Sequence, residues 1–201
     1  MSMNNVSTAK EDVKLCPGDC LVVVDMQEDF MEGGSLPVEG ARALVQPLNE
    51  VIELFGKNGL PIVFSRDWHP EDHCSFKSQG GQWPEHCVQN STGAMFSRGL
   101  HLPDDAIVVS KGTSREKDAY SAFKGTNLSE KLREKGVKRI FVGGVATDYC
   151  VRETVLDGLN LGFRVFLLTD CTAPVTVEGG RKAQREMEQA GAQLLEASVL
   201  G

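Results

Sequence analysis

Five short apolar runs recur along the chain: Leu21-Val22-Val23-Val24, Pro61-Ile62-Val63-Phe64, Ala106-Ile107-Val108-Val109, Arg139-Ile140-Phe141-Val142 and Arg164-Val165-Phe166-Leu167-Leu168. Unbroken runs rich in β-branched residues read as strands covered on both faces. Between several of them lie stripes at helical spacing, Leu44, Leu48, Val51, Ile52 and Phe55 in one, Val151, Val155, Leu156 and Leu159 in another. The alternation predicts an α/β fold, an open and mostly parallel sheet with helices on both faces in a three-layer sandwich. Pro47 either kinks the first helix or marks its first turn, and Asn58-Gly59 is a plausible stop. A last helix is expected over about 178–190, with a short strand from Ala192 to Leu195. Residues 1–18 are polar and aperiodic, a flexible lead-in, which leaves 19–201 as a single domain. The stretch from Asp67 to about Pro103 carries neither period, and a loop of that length in a compact domain is usually functional.

Composition agrees with one soluble domain: 201 residues, 41% hydrophobic and 24% charged. The formal net charge of −7 is spread along the chain and argues against nucleic acid or an anionic membrane as partner. The first residues lack a basic-then-apolar leader and no segment approaches the roughly 20 apolar residues of a membrane span, so a cytoplasmic protein is expected. In that setting the six cysteines, Cys16, Cys20, Cys74, Cys87, Cys150 and Cys171, are expected as free thiols.

Ligands of an open parallel sheet bind beyond the carboxyl ends of its strands. The polar residues found there are Asp25, Asp67, Lys111 and Cys150, two acids, an amine and a thiol at one edge. Taken singly, Asp25 also reads as a turn or capping residue, Lys111 as a solvated lysine and Cys150 as a small buried hydrophobe. Position favours chemistry. Thr147 or Asp148 is a natural N-cap for the helix carrying Val151, Val155 and Leu159, which sets Cys150 in the first turn, where the helix dipole favours a thiolate and free N–H groups can receive an oxyanion. Gly143-Gly144 permits the sharp turn from strand to helix. No histidine stands at a strand end to accept the thiol proton, and Asp25 with Lys111 beside it is the available substitute.

A second constellation lies in the long loop, Asp67-Trp68-His69-Pro70-Glu71-Asp72-His73 followed by Trp83-Pro84-Glu85-His86-Cys87. Aspartate with neutral imidazoles suits zinc, iron or manganese. The alternatives are histidines that anchor the loop by hydrogen bonds, or Cys74 and Cys87 as soft ligands.

These motifs, with Val24-Asp25-Met26-Gln27-Glu28-Asp29-Phe30, Lys111-Gly112 and Gly143-Gly144-Val145-Ala146-Thr147-Asp148-Tyr149-Cys150-Val151, resemble the cysteine hydrolases that include isochorismatases, N-carbamoylsarcosine amidases and, most closely, nicotinamidases. The similarity runs from Leu21 to the last strand. It implies an isochorismatase-like, Rossmann-like domain with a triad of Asp25, Lys111 and Cys150. It implies a cis peptide between Val145 and Ala146 and an oxyanion site on the backbone N–H groups of Ala146 and Cys150. It further implies one divalent metal ion, zinc first with iron or manganese as alternatives, on Asp67, His69 and His86, with His73 an open question as a fourth ligand. The ring of the substrate is expected between Phe30 and Trp68, with Tyr120 and Ala146 as further contacts and Ala122 and Phe123 nearby. The implied reaction converts nicotinamide to nicotinate and ammonia through a thioester on Cys150, within NAD salvage, in a chain that resembles homo-oligomers. Two rival readings remain: a relative acting on another carboxamide or on an isochorismate-like ether, and a non-catalytic binding module that keeps the fold.

Overall fold

The computed structural model describes residues 13–201. Its strands are β1 (Asp19–Val24), β2 (Ile62–Asp67), β3 (Ile107–Lys111), β4 (Arg139–Val145), β5 (Arg164–Ala173) and β6 (Gln193–Leu195). They form one sheet in the order β3-β2-β1-β4-β5-β6, every neighbouring pair parallel. The helices are α1 (Val45–Lys57), α2 (Leu128–Glu134), α3 (Arg152–Asn160) and α4 (Val177–Gln189). Among the described residues no helix is long and apolar enough to cross a membrane.

Alternation along the strands sorts their side chains onto two faces. Leu21, Val23, Phe64, Phe141 and Phe166 meet Leu48, Val51, Ile52 and Phe55 of α1 in one core. Phe141 stacks on Phe166 at 4.6 Å between centroids and takes the edge of Phe55 at 5.4 Å. On the other face Val22, Val24, Ile140, Val142, Val165 and Leu167 pack against Leu128 and Leu132 of α2, Val155 of α3, and Ala183 and Met187 of α4. Helix α2 has no counterpart in the expected elements. It is seven residues long with only these two leucines buried, too short to show a helical period.

Pro47 lies in the first turn of α1, where its missing N–H costs no helical bond. The expected lead-in is corrected in part. Residues 1–12 lie outside the described residues, but the domain begins before Asp19. Val13 N donates to Val199 O at 2.8 Å and Leu15 N to Gly201 O at 3.0 Å, Leu15 is buried, and Arg139 reaches both Lys14 O and the buried Asp19 carboxylate. The polar look of this stretch concealed backbone pairing, which needs no apolar side chains.

The long connection from β2 to β3 contains only one short 3-10 turn, Lys77–Gln79. It is nevertheless pinned by isolated bridges between His69 and Val88, Phe76 and Trp83, and Gln27 and Phe96.

One glycine sets how closely the strands that carry the chemistry approach. Gly144 has φ +115°, and a Cβ there would stand 2.0 Å from Val24 O on β1. Gly144→Ala is expected to lose about 2–6 kcal/mol in urea unfolding, combining left-handed strain with overpacking. Gly40→Ala, with φ +78° but open space around it, should lose only about 1 kcal/mol.

Candidate active site

Three adjacent strands deliver their last residues to one point. Asp25 follows β1, Asp67 ends β2 and Lys111 ends β3. Asp25 adopts φ +49°, which turns the chain out of the sheet at once, while its N–H still reaches Ser65 O at 3.1 Å. Cys150 arrives from the turn after β4. The structure brings all four together, and all are buried.

The Lys111 ammonium is the hub. Nζ lies 2.8 Å from Asp25 Oδ2, donates to Asp67 Oδ1, and lies 3.3 Å from Ala119 O and 3.4 Å from Cys150 Sγ. Burial opposes its charge, but Asp25, Asp67 and Cys150 outweigh burial and hold it charged well above the ordinary lysine range. Burial raises the Asp25 carboxyl above its usual range, and Lys111 offsets this only in part. Asp25 Oδ1 accepts from Ser65 Oγ at 2.7 Å. Asp25, Asp67 and the Cys150 thiol offer atoms within 4.8 Å of one another.

Burial also dominates at Cys150 and pushes its thiol well above the ordinary range, with Lys111 opposing and Asp25 and Asp67 reinforcing. Burial thus favours the protonated thiol, against the expectation of a thiolate at the helix start. Its local structure differs as well. Residues Thr147–Val151 form a π-turn ahead of α3, with Ala146 at the cap and no side chain capping it. Tyr149 N and Val151 N both donate to Ala146 O. Thr147 instead pairs its hydroxyl with Thr172 at 2.8 Å, and Asp148 accepts from Val175 N at 2.8 Å and Thr176 N at 3.3 Å. The expected caps thus serve as ties, Thr147 to β5 and Asp148 to the segment leading into α4. The peptide between Val145 and Ala146 is cis.

Asp67, His69 and His86 form a second group, with ligand atoms within 4.8 Å of one another. Each ring is oriented by a carbonyl: His69 Nδ1 donates to Gly112 O at 2.9 Å and His86 Nδ1 to Pro84 O at 2.8 Å, so each leaves the Nε2 lone pair for a cation. A Cβ on Gly112 would meet the His69 ring at 2.4 Å, so only glycine admits that ring. Asp67 divides its work, Oδ1 on Lys111 and Oδ2 on the His69 side, 3.8 Å from Nε2. Burial would raise Asp67, but Lys111 and His69 prevail and hold it ionised below the usual carboxylate range. Two imidazoles and an ionised carboxylate fit a divalent metal ion.

His73 stacks on His69 at 4.1 Å between centroids but is committed elsewhere. Its Nε2 faces Lys117 O at 3.2 Å and so carries the proton, while Nδ1 accepts from the Ser75 hydroxyl at 2.8 Å. No lone pair is left for a ligand bond. Cys87 is buried with its thiol raised well above normal, chiefly by burial, and neither it nor Cys74 joins the cluster.

A small cavity opens over Cys150, lined at its polar end by Asp67 and His86 and elsewhere by Phe30, Trp83, Tyr120, Ala146, Tyr149 and the aliphatic Leu36, Pro37, Val38 and Val175. Phe30, Tyr120 and Ala146 line it as expected, but Trp68 does not. Alternation accounts for the correction: Asp67 faces the site, so Arg66 and Trp68 on either side point away, and the Arg66 guanidinium lies 3.8 Å over the Trp68 ring. The cavity's tryptophan is Trp83, three residues before His86 in the same Trp-Pro-Glu-His run. Trp83 Nε1 donates to Tyr120 Oη at 2.9 Å and its ring meets Tyr149 edge-on at 5.2 Å. Tyr149 stands beside Cys150 in the turn, a neighbour that its adjacency in sequence made available.

A family model described as the isochorismatase domain matches residues 19–198. The chain is 38% identical over 197 residues to the nicotinamidase of Escherichia coli (strain K12), covering 88% of this chain and 92% of that protein. In structure it is similar to the pyrazinamidase of Pyrococcus horikoshii in complex with zinc, with a TM-score of 0.88 and 48% identity over 90% of this chain and 99% of that one. It is also similar to PnC1 from L. infantum in complex with nicotinate, with a TM-score of 0.89 and 41% identity over 94% and 98%.

The ligand geometry separates the histidines experimentally. His69→Ala and His86→Ala are expected to lose bound metal, as measured by elemental analysis after gel filtration, while His73→Ala keeps it.

Proposed function

The chain belongs to the isochorismatase family, and on that footing we propose that it is a metal-dependent cysteine amidohydrolase converting nicotinamide to nicotinate and ammonia. The observation that carries this reading is the buried Lys111 ammonium shared by Asp25, Asp67 and Cys150, which joins a nucleophile and its base to the metal-ligand group beneath one cavity. The substrate is supported by the nicotinamidase relative and by the nicotinate bound to the L. infantum protein.

In the proposed mechanism Asp25 accepts the Cys150 proton as Sγ attacks the carboxamide carbon, so the thiolate exists only as the C–S bond forms. A base with a raised pKa holds that proton readily and can return it. Lys111 stays charged throughout and stabilises the carboxylate and the developing thiolate. The tetrahedral oxyanion is received by the N–H groups of Ala146 and Cys150. Asp25 then passes its proton to the departing nitrogen, ammonia leaves, and a thioester remains on Cys150. Water, deprotonated by Asp25, adds to the thioester carbon, and collapse releases nicotinate and restores the thiol. Asp67, His69 and His86 would hold a divalent ion, for which we propose zinc on the precedent of the P. horikoshii protein, and that ion would supply Lewis-acid chemistry for the nitrogen of the substrate ring. Phe30 and Trp83 form the flat walls of the ring site, and Tyr120 fixes Trp83 through its hydroxyl. Release of nicotinate assigns the reaction to NAD salvage.

Ammonia release tests the central claim. Cys150→Ala is expected to abolish it, by about 10⁴-fold or more, and Asp25→Asn to reduce it by about 10²–10⁴-fold. Cys150→Ala that releases ammonia from nicotinamide at the native rate would end the proposal. Benzamide, which lacks the ring nitrogen, should be a poor substrate, and chelation should depress turnover of nicotinamide.

The two tryptophans give a separate comparison. Trp83→Ala should raise KM for nicotinamide by about 5–50-fold, the value of one lost aromatic wall, whereas Trp68→Ala should leave KM close to native.

A further inference from the structure

Gln27 belongs to neither the triad nor the metal-ligand group, yet its side chain is fully buried and completely engaged. Its Oε1 accepts from Asp67 N at 2.8 Å, and its Nε2 donates to Asp67 O at 2.8 Å and to Ala94 O at 3.0 Å. The reason lies in the sheet. β1 runs in register with β2 up to Val24 opposite Ser65, and the left-handed Asp25 then takes the main chain away. Asp67, two residues beyond Ser65, is left with an N–H and a C=O that point toward a missing strand. The Gln27 amide fills that place as a surrogate peptide group, donating and accepting as a backbone neighbour would.

We infer that Gln27 is a positioning residue for the metal site, holding the Asp67 main chain so that one carboxylate oxygen stays on Lys111 while the other faces His69 and His86. Asp67 is the one residue that both groups share, so a small rotation of its backbone displaces the carboxylate from both. The clamp also connects that residue to the Asp25 turn, because Gln27 N donates to Asp25 O at 2.8 Å. The inference rests on the metal-site reading above. Loss of such an outer partner typically weakens metal binding 10–100-fold.

The test is Zn²⁺ partition between the loaded protein and a competing chelator, for the native chain, Gln27→Glu and Gln27→Met. Glutamate keeps the size and the acceptor for Asp67 N but cannot donate to Asp67 O or Ala94 O when ionised. Methionine removes both donor and acceptor. Both variants are expected to keep the native circular dichroism, to hold Zn²⁺ about 10–100-fold more weakly, and to regain most of their lost turnover when Zn²⁺ is added in excess. Folded variants that hold Zn²⁺ as tightly as the native chain would overturn the inference, as would lost turnover that excess Zn²⁺ does not restore. If Gln27→Met does not fold, Gln27→Glu decides. Failure of both to fold overturns the inference by making the amide a requirement of the fold. A native chain that binds no Zn²⁺ would instead defeat the metal reading on which the inference stands. A native chain that binds Zn²⁺ but releases no ammonia from nicotinamide would count against the proposed reaction alone.

Discussion

A lysine ammonium with no exposed surface must be paired, because an isolated buried charge costs far more than a domain's net stability can absorb. Lys111 meets this constraint with two carboxylates, one from each of the two strands nearest its own, and the rest of the site follows. With both acids ionised the cluster carries one negative charge in excess, in a place largely closed to water. Two responses to that excess are built in. Asp25 is given a raised affinity for a proton, which suits it to take one, and Asp67 turns its second oxygen toward a pair of imidazoles arranged to share a cation. In the proposed reading, base and metal ligand are thus two ways of balancing one buried lysine, which would account for nucleophile chemistry and metal binding sharing a single cavity.

The same constraint dictates backbone detail. Asp25 can reach Lys111 only because the chain leaves the sheet there with a positive φ, and Cys150 can approach only because Gly144 lets β4 close on β1. The long loop after β2 contains almost no helix or strand but is far from loose. Its bridges and its histidine-to-carbonyl bonds hold His69, His86 and Trp83 relative to one another across stretches with no regular structure of their own.

Much of this was legible in the order of residues. The five apolar runs became strands, the two stripes became α1 and α3, and Asp25, Asp67, Lys111 and Cys150 were found by looking just past strand ends, since a parallel sheet sends all of those to one edge. What escaped was whatever depended on partners distant in sequence. Trp68 was adjacent to two site residues and looked like a wall, but period-two alternation turned it toward Arg66, while Trp83 entered the cavity through a hydrogen bond to Tyr120. Thr147 and Asp148 had the chemistry of caps and were used as cross-ties to Thr172 and Val175. His73 was indistinguishable from His69 by type or spacing, and only the carbonyl of Lys117 and the hydroxyl of Ser75 separate their roles. Gln27 stood in plain view between Asp25 and Phe30, but an amide gives no sign in sequence that it will replace a missing strand.

The Cys150 thiol sits below the surface, where burial favours its protonated form, with carboxylates around it. Peroxide and most cellular oxidants attack the thiolate, so a nucleophile that ionises only while bonding to its substrate is shielded from sulfenic acid formation between turnovers. Many cysteine enzymes keep a standing thiolate and accept inactivation under oxidative stress as a result. In the proposed reaction, reactivity is conferred by the substrate's arrival, and the burial that makes the thiol sluggish in isolation would also protect it from oxidative loss.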